Sequence, residues 1–427
     1  MKKYSWLLCI IVVIPVQAAW NIEVINDYDG GYTSIALDSE GNPHISHGII
    51  DLWYVYYNGD QWFTECLETE ETSMHTCLVL DQWDHPHITY RYGMSGDYQL
   101  KYAHWTGSEW LKTVVENSDG GYTSIALDSM GEPHIVCQLS SGLLYARWAG
   151  SEWEKETVDP DCWEEASSIA LDDSGYPHIA YVYRNDYLKL ASWDGSQWNF
   201  TLIDSGTTLD CEQFSLVLDE YQNPRVAYVN SPNVKYTYFD GSQWHFEVAV
   251  QDCGTPLTFV SMRLDDSGEP HLVCTDPLSC SVVYSSRDSG SWSSEVIDNG
   301  YCVSLALSEE MLARIAFGIG IDGVKYAEEY ETGIFTEDRE LSSFLQGPSP
   351  NPTHEILNLM INLENCAHVG LVLYDLTGRV VLHKNFSDID GGSGQLQLDL
   401  NGVSSGTYLC RVTALDRTES RLVTVIR

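Results

Sequence analysis

The sequence predicts an all-β protein, a seven-bladed β-propeller followed by a small β-sandwich, and three observations predict it. A short phrase typified by SIALDSEGNPHIS at Ser34 recurs seven times. Between recurrences lie short alternating segments broken by Gly-containing turns, with no helical periodicity. Past residue 350 the alternation continues but the phrase does not.

Taken in order, the chain opens as an export signal over residues 1–18. Lys2 and Lys3 precede an apolar stretch, and Val16-Gln17-Ala18 forms a small-residue cleavage pattern. The stretch is too short for a permanent membrane span. The propeller is expected over residues 19–341. Its seven phrases are marked by Asp38, Asp81, Asp128, Asp172, Asp219, Asp265 and Ser308, six intervals averaging about 45 residues, the period of a four-stranded blade. The first copy supplies strand candidates at residues 35–38, 44–47, 52–57 and 62–67, and turns such as WTGSEW at Trp105 and WDGSQW at Trp193 join the third and fourth strands of later copies. One blade cannot bury both of its faces, so a ring is required. The recurrent Trp62, Trp110, Trp153, Trp198, Trp244 and Trp292 are expected to fill the gaps between blades. Two segments compete to close the ring as an extra outer strand, residues 20–25 and residues 335–339. Residues 342–349 read as a linker and 350–427 as a separate domain.

Composition narrows the function. With 62 acidic against 22 basic residues, the formal charge is −40, which repels phosphate backbones and anionic lipid and argues against nucleic-acid binding. Cations, basic partners or neutral sugars suit such a surface. No cofactor is expected beyond a calcium ion that acidic loops could accept. The twelve cysteines include no CxxC pairs of the zinc type. Three local disulfides fit the spacing, Cys66 with Cys77, Cys274 with Cys280 and Cys366 with Cys410, although spacing alone does not fix connectivity.

An acidic marker and a basic residue six positions later recur as Asp38/His44, Asp81/His87, Asp128/His134, Asp172/His178, Asp219/Arg225 and Asp265/His271. Across a tight turn the two side chains face each other. Arg in place of His keeps a hydrogen-bond donor but loses a base or metal ligand, so these read as structural pairs; a catalytic group should occur once. The loops joining second to third strands and blade to blade vary strongly, whereas the other rim is monotonous. Function is therefore expected on the variable rim, where Tyr32, Tyr122, Trp163 and Tyr301 join Asp29, Asp119, Glu164 and Glu165 in a combination suited to sugar or cation recognition. The reading is a monomeric, non-catalytic binding module, directed to a glycan or a surface protein. The alternatives are a glycoside hydrolase using paired rim carboxylates and a protein-interaction scaffold. No GxSxG, HExxH, P-loop or GxGxxG context is present.

The C-terminal region carries Pro350-Asn351-Pro352, then LVLYDLTGRVV with Asp375, Gly378 and Arg379, then LDLNGVSSGTYLCRV with Gly406 and Tyr408, and basic Arg421 and Arg427. In this order it resembles the type A sorting domain of the type IX secretion system. The resemblance implies an Ig-like β-sandwich recognised by the outer-membrane translocon. It also implies export through the periplasm and outer membrane to the cell surface or medium, with removal of the domain by a cysteine peptidase. The repeats are similar, more generically, to secreted bacterial propellers grouped with fucose-lectin-like and sialidase-like folds. DSxGxP lacks the closing aromatic of the sialidase Asp-box, and no basic triad for a substrate carboxylate is identifiable, so sialidase activity is disfavoured.

Overall fold

The computed structural model describes residues 19–426 apart from 70, 95, 119, 163–165, 185–186, 206–213, 254–257, 277, 321, 331–344, 350–352, 354–355, 364–366, 376–378, 390–391 and 415–416. The chain divides into two compact units, Met1–Gly333 and Ile334–Arg427. The signal segment and residues 335–339 lie outside the described residues.

The first unit contains seven four-stranded antiparallel sheets. Blade one runs outward from the axis as Ser34–Leu37, Pro43–His47, Leu52–Tyr57 and Trp62–Glu68. Five further blades repeat that order. The seventh takes Tyr301–Leu307, Ala313–Gly318 and Val324–Tyr330 from one end of the unit and Ala19–Asn26 from the other, with Ala19 opposite Tyr330 and Asn26 opposite Val324. The N-terminal strand therefore closes the ring. Each innermost strand packs on the next, and the seventh on the first.

The recurring Asp explains why every blade turns alike. Its Oδ1 accepts the backbone N–H groups two and four residues ahead, for Asp38 from Glu40 and Asn42 at 2.9 and 2.7 Å. The same geometry recurs at Asp81, Asp128, Asp172, Asp219 and Asp265. This Asx turn closes the first hairpin. It needs a left-handed residue at its third position, supplied by glycine in blades one, three, four and six; in the others Asp84, Gln222 and Met311 adopt φ of 63°, 63° and 60°.

Two further devices join blades. In five blades a serine four residues before the marker accepts the inner-strand N–H of the following blade: Ser34 from Leu78, Ser124 from Ile169, Ser168 from Leu216, Ser261 from Leu305 and Ser304 from Ile35, at 2.9–3.2 Å. In blade five Ser215 instead donates to the Met262 carbonyl, and blade two has Cys77 there. One N–H on the free edge of five inner strands is thereby satisfied, as a buried edge requires. Farther out, Trp62, Trp110, Trp153, Trp198 and Trp292 stand edge-on to Tyr326, Tyr54, Tyr102, Tyr145 and Tyr236 of the neighbouring blade at 5.2–5.6 Å. Trp20 does the same against Tyr284. The indole N–H groups of Trp20, Trp62, Trp110, Trp198 and Trp292 donate to Glu295, Glu23, Glu65, Glu156 and Glu247. These five tryptophans are half-buried wedges whose polar atom is answered across the same interface, whereas the buried indole N–H of Trp153 has no partner among the described residues.

The second unit has a three-stranded sheet, Leu345–Ser349, Ile356–Leu363 and Gly392–Asp399, and a four-stranded sheet ordered Val380–Ile389, Ala367–Asp375, Gly406–Ala414, Arg417–Val425. Leu357, Leu359 and Leu396 of one pack on Leu371, Leu373, Val412 and Val423 of the other, which makes a β-sandwich. Buried Tyr408 donates from its hydroxyl to the Ser404 carbonyl at 2.8 Å and lies against Gly406, and Asp375 pairs with Tyr408 in the ladder. Arg379 is exposed; Pro350, Asn351, Pro352 and Gly378 lie outside the described residues.

The cysteine spacings mislead. Cys66 sits on the outermost strand of blade one and Cys77 on the innermost strand of blade two. Cys274 has its sulfur 3.4 Å from that of Cys253, not beside exposed Cys280. Cys366 lies outside the described residues.

Candidate functional site

The Asp and His six residues apart do face each other, but at 3.5–3.9 Å the contact is longer than a hydrogen bond in all five His-bearing blades. Only Arg225 closes on Asp219, at 2.8 Å. Burial, outweighing the nearby carboxylate, holds His44, His134, His178 and His271 below the ordinary imidazole range and His87 at about 4. These rings are neutral at pH 7. Their Nδ1 atoms bond the hydroxyls of Tyr54, Tyr102, Tyr145, Ser192 and Tyr284 at 2.5–2.9 Å. Asp38, Asp81, Asp219 and Asp265 are pulled below the usual carboxylate range: burial opposes the shift, and the turn N–H groups overcome it.

On the variable rim, Trp163, Asp119, Glu164 and Glu165 lie outside the described residues. Asp29 is occupied locally, its Oδ2 accepting the N–H groups of Ile49, Ile50 and Asp51. Tyr301 is 40% exposed and its hydroxyl lies over Gly320. Tyr32 and Tyr122 turn inward. With His75 and Phe259 they form an aromatic plug at one end of the axial channel, with His75 stacked on Tyr122 at 3.9 Å and Tyr32 edge-on to His75 at 4.5 Å. Register shifts between Met74 and Cys77 and between Gly120 and Thr123, and φ values of 43° and 53° at Tyr32 and His75, redirect these side chains.

Four rim carboxylates are held by inter-blade clamps. Glu68 accepts from Tyr90 and Lys101 at 2.6 and 3.1 Å. Asp159 takes Tyr181 and Lys189, and Asp204 takes Tyr228 and Lys235. Asp298 takes Lys325 at 2.7 Å. Lys101 and Lys189 also lie over the rings of Tyr92 and Tyr183 at 3.6 and 3.5 Å. The sequence signal was available but unused: a Tyr three residues after the basic member of the pair, with Lys opposite it on the third strand. Sequence reasoning also missed Tyr28, 56% exposed and stacked on Trp53 at 5.0 Å. Among the described residues no three His, Cys, Asp or Glu side chains gather as a metal ion would need.

A roomy cleft opens on the other, monotonous rim, between blades three and four. It has a volume of about 640 Å³. Trp193, Trp198, Tyr145 and Tyr176 supply aromatic walls, and Arg147, Glu154 and Lys155 stand at its edge. Arg147 pairs with Glu154 through Nε at 2.8 Å, both half-exposed, and Trp198 donates to Glu156 at 3.1 Å. The corresponding third-strand position carries His104 in blade two and Ser192 in blade four. The guanidinium therefore marks this interface.

Residues 349–425 match the family described as the secretion system C-terminal sorting domain. The C-terminal unit is a type IX secretion sorting domain. The protein is accordingly exported across the outer membrane to the cell surface or medium, and it engages the type IX machinery. Curated protein sequences give no match. Among solved structures, an ulvan lyase bound to -[GlcA(1-4)Rha3S]- is 11% identical with a TM-score of 0.50, covering 71% of this chain and 94% of the lyase. The extracellular domain of a one-component system protein of B. thetaiotaomicron is 11% identical with a TM-score of 0.49 and covers 95% of this chain; the chain spans 59% of its length. A lectin of Aleuria aurantia, solved as a mutant with α-methyl-L-fucoside, is 13% identical with a TM-score of 0.46, covering 65% of this chain and 97% of the lectin. At these identities the likeness concerns the fold alone.

Proposed function

We propose that the type IX cargo is a carbohydrate-binding propeller and that the cleft between blades three and four is its sugar site. The observation that carries this reading is the pairing of aromatic walls with a half-exposed guanidinium–carboxylate couple at one edge. Aromatic faces stack on the apolar faces of pyranose rings, and an Arg–Glu pair offers both donors and acceptors to ring hydroxyls. The strong negative charge is no obstacle to a neutral ligand. The hydrolase alternative finds little support among the described rim carboxylates, because Glu68, Asp159, Asp204 and Asp298 are held by lysines and Asp29 by three N–H groups.

A glycan array probed with the exported protein tests the reading. At least one sugar is expected to bind, with Arg147→Ala and Tyr176→Ala each weakening it by roughly 10-fold or more, the size of a lost charged hydrogen bond or stacking contact. Both side chains are exposed, so the fold should survive. A silent array, or unchanged binding by both variants, removes the proposal.

A further inference from the structure

We propose that the axial channel of the propeller is a binding site for a single small oxyanion or carboxylate, held by Arg263. This site is separate from the inter-blade cleft and does not depend on it. Arg263 lies on the innermost strand of blade six, two residues before the marker Asp265. The same station carries Ala36, Val79, Ala126, Ala170, Val217 and Ala306 in the other blades. One long cation thus stands at a station that is short and apolar in the other blades. It borders both a cavity of about 130 Å³ and a more open vestibule of about 450 Å³, and so stands between them. The Asp266 carboxylate is also on the vestibule wall.

Its charge is unanswered. Nη1 donates to the Met262 carbonyl at 2.8 Å, the guanidinium makes no other hydrogen bond among the described residues, and none of their carboxylates lies within 4.0 Å of it. Burial lowers its tendency to hold its proton, yet arginine stays charged in proteins. The other propeller cations described above each have an anionic partner, in a protein with 62 acidic side chains. A half-buried guanidinium with no carboxylate beside it attracts an anion into the channel.

The surroundings fit such a guest. The inter-blade serines line the cavity; each accepts a backbone N–H, and the hydroxyls of Ser34 and Ser124 also meet the Cys77 sulfur, which leaves those of Ser168, Ser261 and Ser304 to face a guest. The cavity admits one small ion and no polymer. The aromatic plug shuts one end, so the ion enters by the vestibule past Leu37, Leu80 and Met311.

The test uses the full chain at fixed ionic strength, titrated with sulfate, phosphate and acetate while the unfolding midpoint is followed. A saturable rise is expected with at least one anion, and the three titrations separate tetrahedral oxyanions from carboxylates. Arg263→Ala should weaken that response at least 10-fold and Arg263→Lys should restore part of it. Four blades already carry Ala at this station, so folding of the Ala variant is expected. Should it not fold, crystals of the unaltered chain soaked in selenate decide the matter, with an anomalous selenium peak expected beside the guanidinium. No saturable response in the unaltered chain, an equal response in Arg263→Ala, or an empty channel after the selenate soak would overturn the assignment.

Discussion

Lowering the pH should unfold the propeller through its buried histidines, and His75 allows a clean measurement. Burial, aided by nearby Arg91, holds His75 at about 3, and burial holds His47 and His87 at about 4. An unfolded histidine titrates near 6.5. Because the folded values are depressed, the unfolded chain binds more protons between those limits. The stabilising contribution is complete above about pH 6.5 and is lost as pH falls toward 4. Between pH 7 and 5 each such histidine costs about 2 kcal/mol, and three cost about 6 kcal/mol, comparable with the whole stability of an ordinary domain. The carboxylates of the Asx turns act in the same direction at lower pH, since their folded values are also depressed. Replacing His75 by Phe removes one titrating ring while preserving an aromatic plug; the equivalent station of blade six already holds Phe259. Urea unfolding of the two proteins at pH 7 and 5 should show the variant losing about 2 kcal/mol less than the parent over that interval. Identical losses would show that His75 is not kept neutral by the fold.

Two further outcomes are expected. Protein recovered after passage through the oxidising periplasm should yield a peptide linking Cys253 to Cys274 by thiol–disulfide exchange, with reduction lowering stability by about 3 kcal/mol, the loop-entropy value for a 21-residue separation. The Cys253 thiol and burial hold Cys274 far above the ordinary thiol range, so oxidation should precede closure of that interface, and two thiols alkylated in the unfolded exported protein would contradict the pairing. Deletion of residues 350–427 should leave a folded propeller in the periplasm, assayed by fractionation, and its continued appearance in the medium would show that the sorting domain is dispensable for export.

The blades were legible because their determinants are local. The Asx turn needs only the marker Asp, a left-handed third residue and two N–H groups within four positions, so the phrase that encodes it repeats with the fold. The wedge tryptophans were equally visible. Their glutamate partners were not, since Glu65 and Trp110 lie 45 residues apart and only the ring brings them together. The closing strand was ambiguous for the same reason, because residues 20–25 show alternation without showing what they pair with. Two of the expected rim residues lie elsewhere for an instructive reason. Tyr32 and Tyr122 sit in variable loops, where exposure is the usual expectation, but the irregular backbone at the start of the inner strands turns them toward the axis. On the uniform rim, loop variability gives no signal for the cleft, which is built from repeated wedge residues and a single substituted arginine, Arg147.

Six blades are completed by hairpins between neighbours in sequence; the seventh is a clasp joining Ala19 to Tyr330. An emerging chain can assemble most of its blades early, yet it cannot fasten the circle until its last inner strands exist and its beginning is still free to meet them. Any processing that trimmed past the first few residues of that strand would leave blade seven with a bare edge. Peeling of the same strand is then the cheapest way to open the assembly, which gives the molecule a defined weak seam.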